Sequence, residues 1–345
     1  MRALQLVQYN HTPDAFAYTD QLAKPSVCSP FQVLVRIKAA GTNPVDAKIA
    51  SGELNTSSFL PLPCIIGADF SGIVEAIGNQ VEDFKVGDHV FGSLHMPFVM
   101  GTYAEYTLVD TQKDSIAKKP LHLSFEEAAS AGIGVLTAYQ GIVKNSPKDI
   151  HQKMRILVVG ASGGVGVFGI QVAKAIHPHN TVVGICSGRN VEFVKSLGAD
   201  DVIDYTDKQK YEQFIRDNEN SFDLVFDCVG GDEYYQQLDP LLNKTGVFST
   251  AVVPKGYVKA NGGRLTAIAM SYKSFYKHVF ASHAYAVVVS LPHDDFRSKI
   301  APLFDTKAVS GLVHSENKIP LKDGHLAHQK LATRRTVGKI VLTME

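Results

Sequence analysis

A glycine-rich turn separates two apolar segments between residues 154 and 174. The aliphatic run Arg155–Val159 predicts a strand buried on both faces of a parallel sheet, and the residues after the turn have helical spacing. Glycines let backbone amides approach an anion, and the first amides of the following helix point outward with the positive end of its dipole. The turn therefore predicts a pyrophosphate site formed by Ser162, Gly163, Gly164 and Val165. The alternative is a purely structural turn.

A second apolar run, Thr181–Cys186, follows at the spacing of a βαβ unit and strengthens the nucleotide-binding interpretation. A site for NAD needs an acidic residue at the end of this strand, where it binds the ribose hydroxyls and repels a 2′-phosphate. This chain instead has Ser187, Gly188, Arg189 and Asn190, with no acid before residue 192. An arginine can pair with a phosphate dianion, and Ser187 and Asn190 add donors. The sequence predicts NADPH as cofactor, unless Arg189 is an ordinary solvated side chain.

Charge and length exclude several classes of function. The chain has 345 residues, with 34 basic and 34 acidic side chains. This balance argues against nucleic acid or an anionic membrane as the main partner. No apolar stretch has transmembrane length, and the first residues lack a signal-peptide pattern, so we expect a cytoplasmic protein. The length predicts two domains, each with its own core.

The pattern of elements changes near residue 124. Before it, the sequence is rich in strands and turns, whereas Ser124 and Glu127 form a capping box that opens a predicted helix over residues 128–142, with some glycine interruptions. Strands then alternate with helices, which is typical of a doubly wound α/β sheet. A final strand at residues 338–343 is expected to return to the first domain. The predicted domains are residues 1–124 with 293–345, and residues 125–292. Further strands are predicted at residues 33–39, 72–78, 103–109, 201–204, 224–227, 246–249 and 285–291.

Several motifs occur in one characteristic order, at residues 40–46, 63–72, 86–92, 101–106, 134–139, 197–205, 223–231 and 338–341. In this order and spacing the chain resembles the medium-chain dehydrogenase/reductase superfamily. It is most similar to the zinc-independent branch of quinone oxidoreductases and alkenal/enone reductases. The resemblance implies a GroES-like, β-rich catalytic domain and a Rossmann domain that binds NADPH.

The chain departs from zinc-bearing relatives at the positions of their metal ligands. Asn43 stands where they have a cysteine, and Ala68 and Asp69 replace a His-Glu pair. No cysteine lies between Cys64 and Cys186, so the cysteines of a structural zinc lobe are also missing. We therefore expect no metal. Without a Lewis acid, a simple alkoxide has little to stabilise it, whereas a quinone or an α,β-unsaturated carbonyl spreads the charge of an added hydride.

The resemblance also assigns roles to single residues. Asn43 is expected to bind the nicotinamide ribose or a substrate carbonyl, and Asp46 to brace the same loop. Lys48 is expected to polarise the carbonyl or bind ribose hydroxyls, although a solvated lysine is the plain alternative. Further cofactor-binding residues are expected at Thr137, Tyr205, Val229, Gly230 and Arg334. The alternatives are that Tyr205 packs the adenine pocket and does not approach the 2′-phosphate, that Gly230 only forms a turn, and that Arg335 takes the place of Arg334.

Four further side chains are expected to line an apolar substrate pocket or to belong to the core: Phe59, Leu60, Phe91 and Phe98.

The sequence is consistent with three functions. The first is NADPH-dependent reduction of quinones or α,β-unsaturated carbonyls. The second is an NADPH-binding interaction protein with little turnover, because fold alone does not establish catalysis. The third is an enoyl-thioester reductase. A homodimer is expected through the apolar strand predicted at residues 285–291, because an open hydrophobic edge invites pairing.

Overall fold

A computed structural model describes residues 1–10, 13–54, 60–95, 100–252, 283–288 and 295–344. The chain divides into two compact units, Met1–Leu136 with Leu291–Glu345, and Thr137–Ser290. The domain limits expected from the sequence stay a prediction. No helix in the described ranges is long and apolar enough to cross a membrane.

The first unit is built on antiparallel strands. Its larger sheet has the order β15-β16-β3-β5-β6-β8, with β7 paired to β3, and a small sheet has the order β2-β1-β4. Among the described strands of these two sheets, only β15 and β16 pair in parallel. The strands are Ala3–Leu6 (β1), Phe16–Thr19 (β2), Gln32–Gly41 (β3), Cys64–Ile65 (β4), Asp69–Ile77 (β5), His89–Ser93 (β6), Tyr106–Asp110 (β7), Ser115–Lys118 (β8), Lys318–Pro320 (β15) and Val341–Thr343 (β16).

The C-terminal segment completes the first unit, as the sequence predicted. Strand β16 pairs antiparallel with β3, bringing Val341 opposite Gly41. This pairing places residue 339 beside the loop that follows β3. Helices of the unit are Pro44–Ala50 (α1), Phe125–Ala129 (α2), Gly132–Tyr139 (α3, whose last residues belong to the second unit), Ala301–Asp305 (α8) and Gly324–Ala332 (α9).

The second unit contains one sheet whose described strands are all parallel, in the order β11-β10-β9-β12-β13-β14. The order runs outward in both directions from β9, which confirms the predicted doubly wound fold. The strands are Arg155–Val159 (β9), Thr181–Cys186 (β10), Asp201–Asp204 (β11), Phe222–Asp227 (β12), Leu242–Thr250 (β13) and Ala284–Val287 (β14). Its further helices are Gly166–Ile176 (α4), Val191–Ser196 (α5), Lys208–Asp217 (α6) and Asp232–Leu238 (α7).

The helix predicted over residues 128–142, with glycine interruptions, is divided in the structure into two helices and a π-helical turn. The capping box is confirmed, since the backbone N–H of Glu127 donates to Ser124 and the Glu127 carboxylate accepts from Ser124 N–H. Helix α2 ends at Ala129, however, and α3 is followed by a π-helical turn at Gln140–Lys144. The break brings the start of α3 against Asp69, whose Oδ1 accepts the N–H of Ile133 at 2.7 Å.

The sequence also predicts a helix over residues 294–304, and this helix and the strand predicted at residues 285–291 agree with the structure in part. Residues 295–305 are helical as a π-helical turn, Phe296–Ile300, that continues into α8. Strand β14 ends at Val287, and residues 289–294 lie outside the described ranges. The predicted pairing of a second subunit at this strand stays a prediction.

Candidate active site

The glycine-rich turn joins the end of β9 to the start of α4. Gly160 has a positive φ of 72°, and its N–H and that of Ala161 donate to the Ile185 carbonyl of β10. A side chain at Gly166 would place its Cβ 2.2 Å from the Gly160 carbonyl oxygen, so the helix starts in direct contact with the turn. Within the described residues, the N–H groups of Ser162, Gly164 and Val165 donate to no protein acceptor. Free amides at a helix start are the donors that a pyrophosphate requires.

Asn190 links this turn to the residues that follow β10. Its Nδ2 donates to Ser162 Oγ at 3.0 Å and to Ser187 Oγ at 3.2 Å, and its side chain is largely buried. Three of the predicted cofactor residues are therefore held together, and Arg189 projects from the same short turn with an exposed side chain. Free backbone amides, two hydroxyls and a cation thus occur in the two turns that follow the carboxyl ends of β9 and β10.

An acidic residue that the sequence reasoning missed lies next to this turn. Asp204 ends β11, and its Oδ1 accepts the N–H and the hydroxyl of Thr206. A Cβ on Gly188 would lie 2.2 Å from Asp204 Oδ2, so a larger residue there would require the carboxylate to move. Hydrogen bonds from the Thr206 hydroxyl and N–H and from the Gly188 amide lower the pKa of Asp204. The carboxylate thus lies against the Ser187 to Asn190 turn at Gly188.

A second missed residue, Asp227, shapes the end of β12. Its buried carboxylate accepts the N–H groups of Val229 at 2.9 Å and Gly230 at 3.0 Å through Oδ1. The Thr250 hydroxyl donates to Oδ2 at 2.9 Å. Gly230 has a φ of 76°, and the Val229 side chain is 45% exposed. The predicted cofactor residues Val229 and Gly230 therefore form a turn that one carboxylate fixes at the carboxyl edge of the sheet, where doubly wound folds bind ligands.

Two other predicted cofactor residues have different environments within the second unit. Tyr205 directly follows β11 and is 46% exposed, whereas Thr137 in α3 is buried. Their predicted contacts with a cofactor stay predictions.

In the first unit, Asn43 belongs to a buried charged network. Its Nδ2 donates to Asp69 Oδ2 at 2.9 Å, and its Oδ1 accepts a hydrogen bond from the Lys339 ammonium. Lys339 also donates to the Thr42 carbonyl at 2.9 Å and contacts Asp69 Oδ2 at 3.2 Å. The side chains of Lys339 and Asp69 are 4% and 0% exposed. Sequence reasoning missed the role of Lys339, because lysine is mostly exposed and a single buried lysine has no local sequence signal.

Asp46 braces the same loop, as the resemblance implied. Its Oδ2 accepts the N–H of Asn43 and the hydroxyl of Tyr103, both at 2.8 Å. Burial raises the pKa of Asp46 to about 7, while the hydrogen bonds from Tyr103 and Asn43 oppose the shift. The loop before α1 is therefore held by Asp46 through the Asn43 backbone, and by Lys339 through the Thr42 carbonyl and the Asn43 side chain.

The remaining catalytic and cofactor candidates of this unit are Lys48, on α1, and Arg334, after α9. Lys48 is half-buried on α1, five residues after Asn43, and its ammonium has no hydrogen bond or ion pair to the described residues. Arg334 follows α9 with a φ of 55° and an exposed side chain. Leu60 and Phe91 are core residues, and Phe59 and Phe98 lie outside the described ranges. Among the described side chains, no group of three or more potential ligands could hold a metal ion.

Comparison with known proteins identifies the class. A family model described as "Alcohol dehydrogenase GroES-like domain" matches residues 29–120, and one described as "Zinc-binding dehydrogenase" matches residues 197–342. An NADPH-dependent alkenal/one oxidoreductase of Arabidopsis thaliana is 35% identical over 90% of this chain and 72% of its own length. The chain belongs to the medium-chain dehydrogenase/reductase superfamily, and it is an oxidoreductase.

Relatives place it in one branch of that superfamily. The solved structure of a quinone oxidoreductase from Coxiella burnetii is similar to this chain, with a TM-score of 0.80 and 28% sequence identity. The match covers 100% of this chain and 99% of the Coxiella chain. A trans-enoyl reductase of Aspergillus terreus is 44% identical over 58% of this chain and 56% of its own length. The branch is that of quinone oxidoreductases and alkenal/enone reductases.

Proposed function

We propose that this protein reduces quinones or α,β-unsaturated carbonyls with NADPH by hydride transfer. The observation that carries the proposal is the turn between β9 and α4. Its Ser162, Gly164 and Val165 amides are free of protein acceptors, and Asn190 ties it to Ser187 beside the exposed Arg189. The alkenal/one oxidoreductase similar to this chain is named as NADPH-dependent, which supports the same cofactor.

The preference for NADPH over NADH follows from the charge at the end of β10. A 2′-phosphate is a dianion that accepts hydrogen bonds, and Arg189 and the Ser187 hydroxyl can both donate to it. The nearby Asp204 carboxylate accepts the N–H and the hydroxyl of Thr206 and keeps its negative charge, so the proposed preference rests on Arg189 and Ser187. Thr137, Tyr205 and Arg334 are proposed as further contacts of the same cofactor.

Bound NADPH would supply the hydride, and the protein's own residues would hold the acceptor and stabilise its developing charge. When a hydride adds to the β-carbon of an enone, the negative charge moves onto the carbonyl oxygen of the substrate. We assign Lys48 and one N–H of Asn43 as the donors that stabilise this oxygen. Lys48 is suited to this role because it is half-buried and its ammonium has no partner in the described residues. The proposed reaction requires no metal.

A second candidate acceptor is an enoyl thioester. It is favoured by the trans-enoyl reductase of Aspergillus terreus, which is 44% identical over its matched region. The chemistry would be the same, since the thioester carbonyl also conjugates with the double bond that receives the hydride. An NADPH-binding interaction protein with little turnover is the outcome if no acceptor is reduced.

A stopped-flow panel separates these functions. NADPH and NADH are each mixed with the protein and a quinone, a short enal, an aryl enone or an enoyl-CoA, and oxidation of the cofactor is followed at its absorbance maximum. We expect NADPH to be oxidised faster than NADH by a quinone or an enone. Tight NADPH binding without oxidation by any acceptor would refute the reductase and support the interaction protein. The cytoplasmic location and the homodimer stay predictions, to be checked by imaging of the tagged protein and by its mass in solution.

A further inference from the structure

The direction of the Asn43 carboxamide is set by two opposite charges. On one side the Lys339 ammonium donates to Oδ1, and on the other the Asp69 carboxylate accepts from Nδ2. If the amide rotated by half a turn, its NH₂ group would face the ammonium and its oxygen would face the carboxylate. Both contacts would then be repulsive in a site where Asp69 is 0% and Lys339 4% exposed. The buried ion pair therefore permits one amide direction.

The lysine itself is held by the way the chain ends. The N–H and hydroxyl of Thr42 both donate to the Ile340 carbonyl, at 2.9 and 3.1 Å, and β16 continues the pairing with β3. The lysine's ammonium has three hydrogens and three acceptors: the Thr42 carbonyl, Asn43 Oδ1 and Asp69 Oδ2. Lys339 is thus fully occupied by protein and has no hydrogen left for a ligand.

Asn43 differs from Lys339 in this respect. Its Oδ1 and one Nδ2 hydrogen are used by the network, and its second Nδ2 hydrogen has no acceptor among the residues that the structure describes. The asparagine precedes α1, the helix that carries Lys48. We propose that Lys339 is a positioning residue, which fixes the Asn43 carboxamide so that this second hydrogen is offered to the substrate oxygen or the coenzyme. This inference rests on the proposed reductase function.

A charge-compensated pair of variants tests the proposal. Lys339→Met leaves the Asp69 carboxylate buried without its cation, so we expect a lower unfolding temperature and a fall in kcat/KM of at least about tenfold. In the double variant K339M/D69N both charges are gone, and most of the lost stability should return. The direction of the Asn43 amide is still unspecified in this double variant, so its kcat/KM should stay at least about tenfold below that of wild type. The single variant Lys339→Arg keeps a cation and should have a higher kcat/KM than Lys339→Met. Recovery of kcat/KM together with stability in the double variant would overturn the proposal.

A matched control and a direct readout complete the test. Lys318 belongs to the same C-terminal segment, and its side chain is 40% exposed. Lys318→Met should therefore change neither the unfolding temperature nor kcat/KM. In protein with ¹⁵N-labelled asparagine, the side-chain signal of Asn43 is identified by its loss in Asn43→Ala. One hydrogen should exchange slowly in wild type and both at similar rates in K339M/D69N, whereas an unchanged pattern would refute the proposed positioning.

This second readout separates the two proposals. If none of the acceptors supports NADPH oxidation by the wild-type protein, the reductase function fails. The exchange rates of the two Asn43 side-chain hydrogens still decide whether Lys339 orients the amide. If the single variant K339M does not fold, the comparison is made between wild type, Lys339→Arg and K339M/D69N. An exchange pattern that is the same in all three contradicts the role of Lys339.

Discussion

Replacement of Gly166 by alanine tests the close contact between the turn and α4. An added methyl group would lie 2.2 Å from the Gly160 carbonyl oxygen and 2.8 Å from Ala161 Cα. Carbon and oxygen normally approach to about 3.3 Å, so the helix start would have to move by roughly 1 Å. Overpacking of this kind costs about 1–3 kcal/mol, and the better helix propensity of alanine returns at most about 1 kcal/mol. We therefore expect G166A to be less stable by up to roughly 2 kcal/mol.

The same movement should displace the amides that we assign to the pyrophosphate. We expect NADPH to bind G166A at least about tenfold more weakly, since misplaced charge-assisted hydrogen bonds lose about 1.5–3 kcal/mol. Urea unfolding measures the first effect, and the fluorescence of bound NADPH measures the second. Gly163→Ala is the stability control, because its Cβ would lie 3.3 Å from the same oxygen. If G166A is as stable as G163A and binds NADPH as wild type does, the account of this turn is wrong.

Three further predictions concern single side chains. Arg189→Ala should weaken NADPH binding by about tenfold or more and leave NADH unaffected, with the exposed Arg216→Ala as control; equal loss for both nucleotides would contradict the phosphate assignment. Lys48→Ala should slow enone reduction without changing the unfolding midpoint, and unchanged turnover would remove Lys48 from the site. Burial raises the pKa of Asp46 to about 7, so the native state keeps a proton that the unfolded chain releases near pH 4, and stability should fall as pH rises between these values. Asp46→Asn should reduce this slope in urea unfolding at pH 5 and pH 8; an unchanged slope would mean that another group titrates.

The parallel sheet was the part most accessible to prediction. Strands Arg155–Val159, Thr181–Cys186 and Asp201–Asp204 have the predicted bounds, because each is a short apolar or β-branched run that polar or turn-forming residues delimit. The capping box at Ser124 was also correct, since it depends on contacts between residues three positions apart. Local chemistry determined these features, and local chemistry is what a sequence shows.

The errors arose where distant residues decide the structure. A helix over residues 128–142 satisfies local preference, yet Asp69 accepts the Ile133 N–H and leaves room only for glycine at residue 132. Lys339 and Asn43 are 296 positions apart, and no pattern in the sequence shows that they share a hydrogen bond. Asp204 is a similar case, because it lies beside Gly188 on a neighbouring strand end. Asp227 is different, because it accepts the N–H groups of Val229 and Gly230, only two and three positions away. The sequence thus indicated which loops form the candidate site, but not what holds them in place.

The destination of the transferred hydrogen tests the central claim most directly. The protein would be given an α,β-unsaturated ketone and NADPH carrying deuterium at the transferable position of the nicotinamide, and the product analysed by mass spectrometry and proton NMR. The account predicts a saturated ketone with one deuterium at the former β-carbon. A product without deuterium, or an allylic alcohol with deuterium at the former carbonyl carbon, would contradict it.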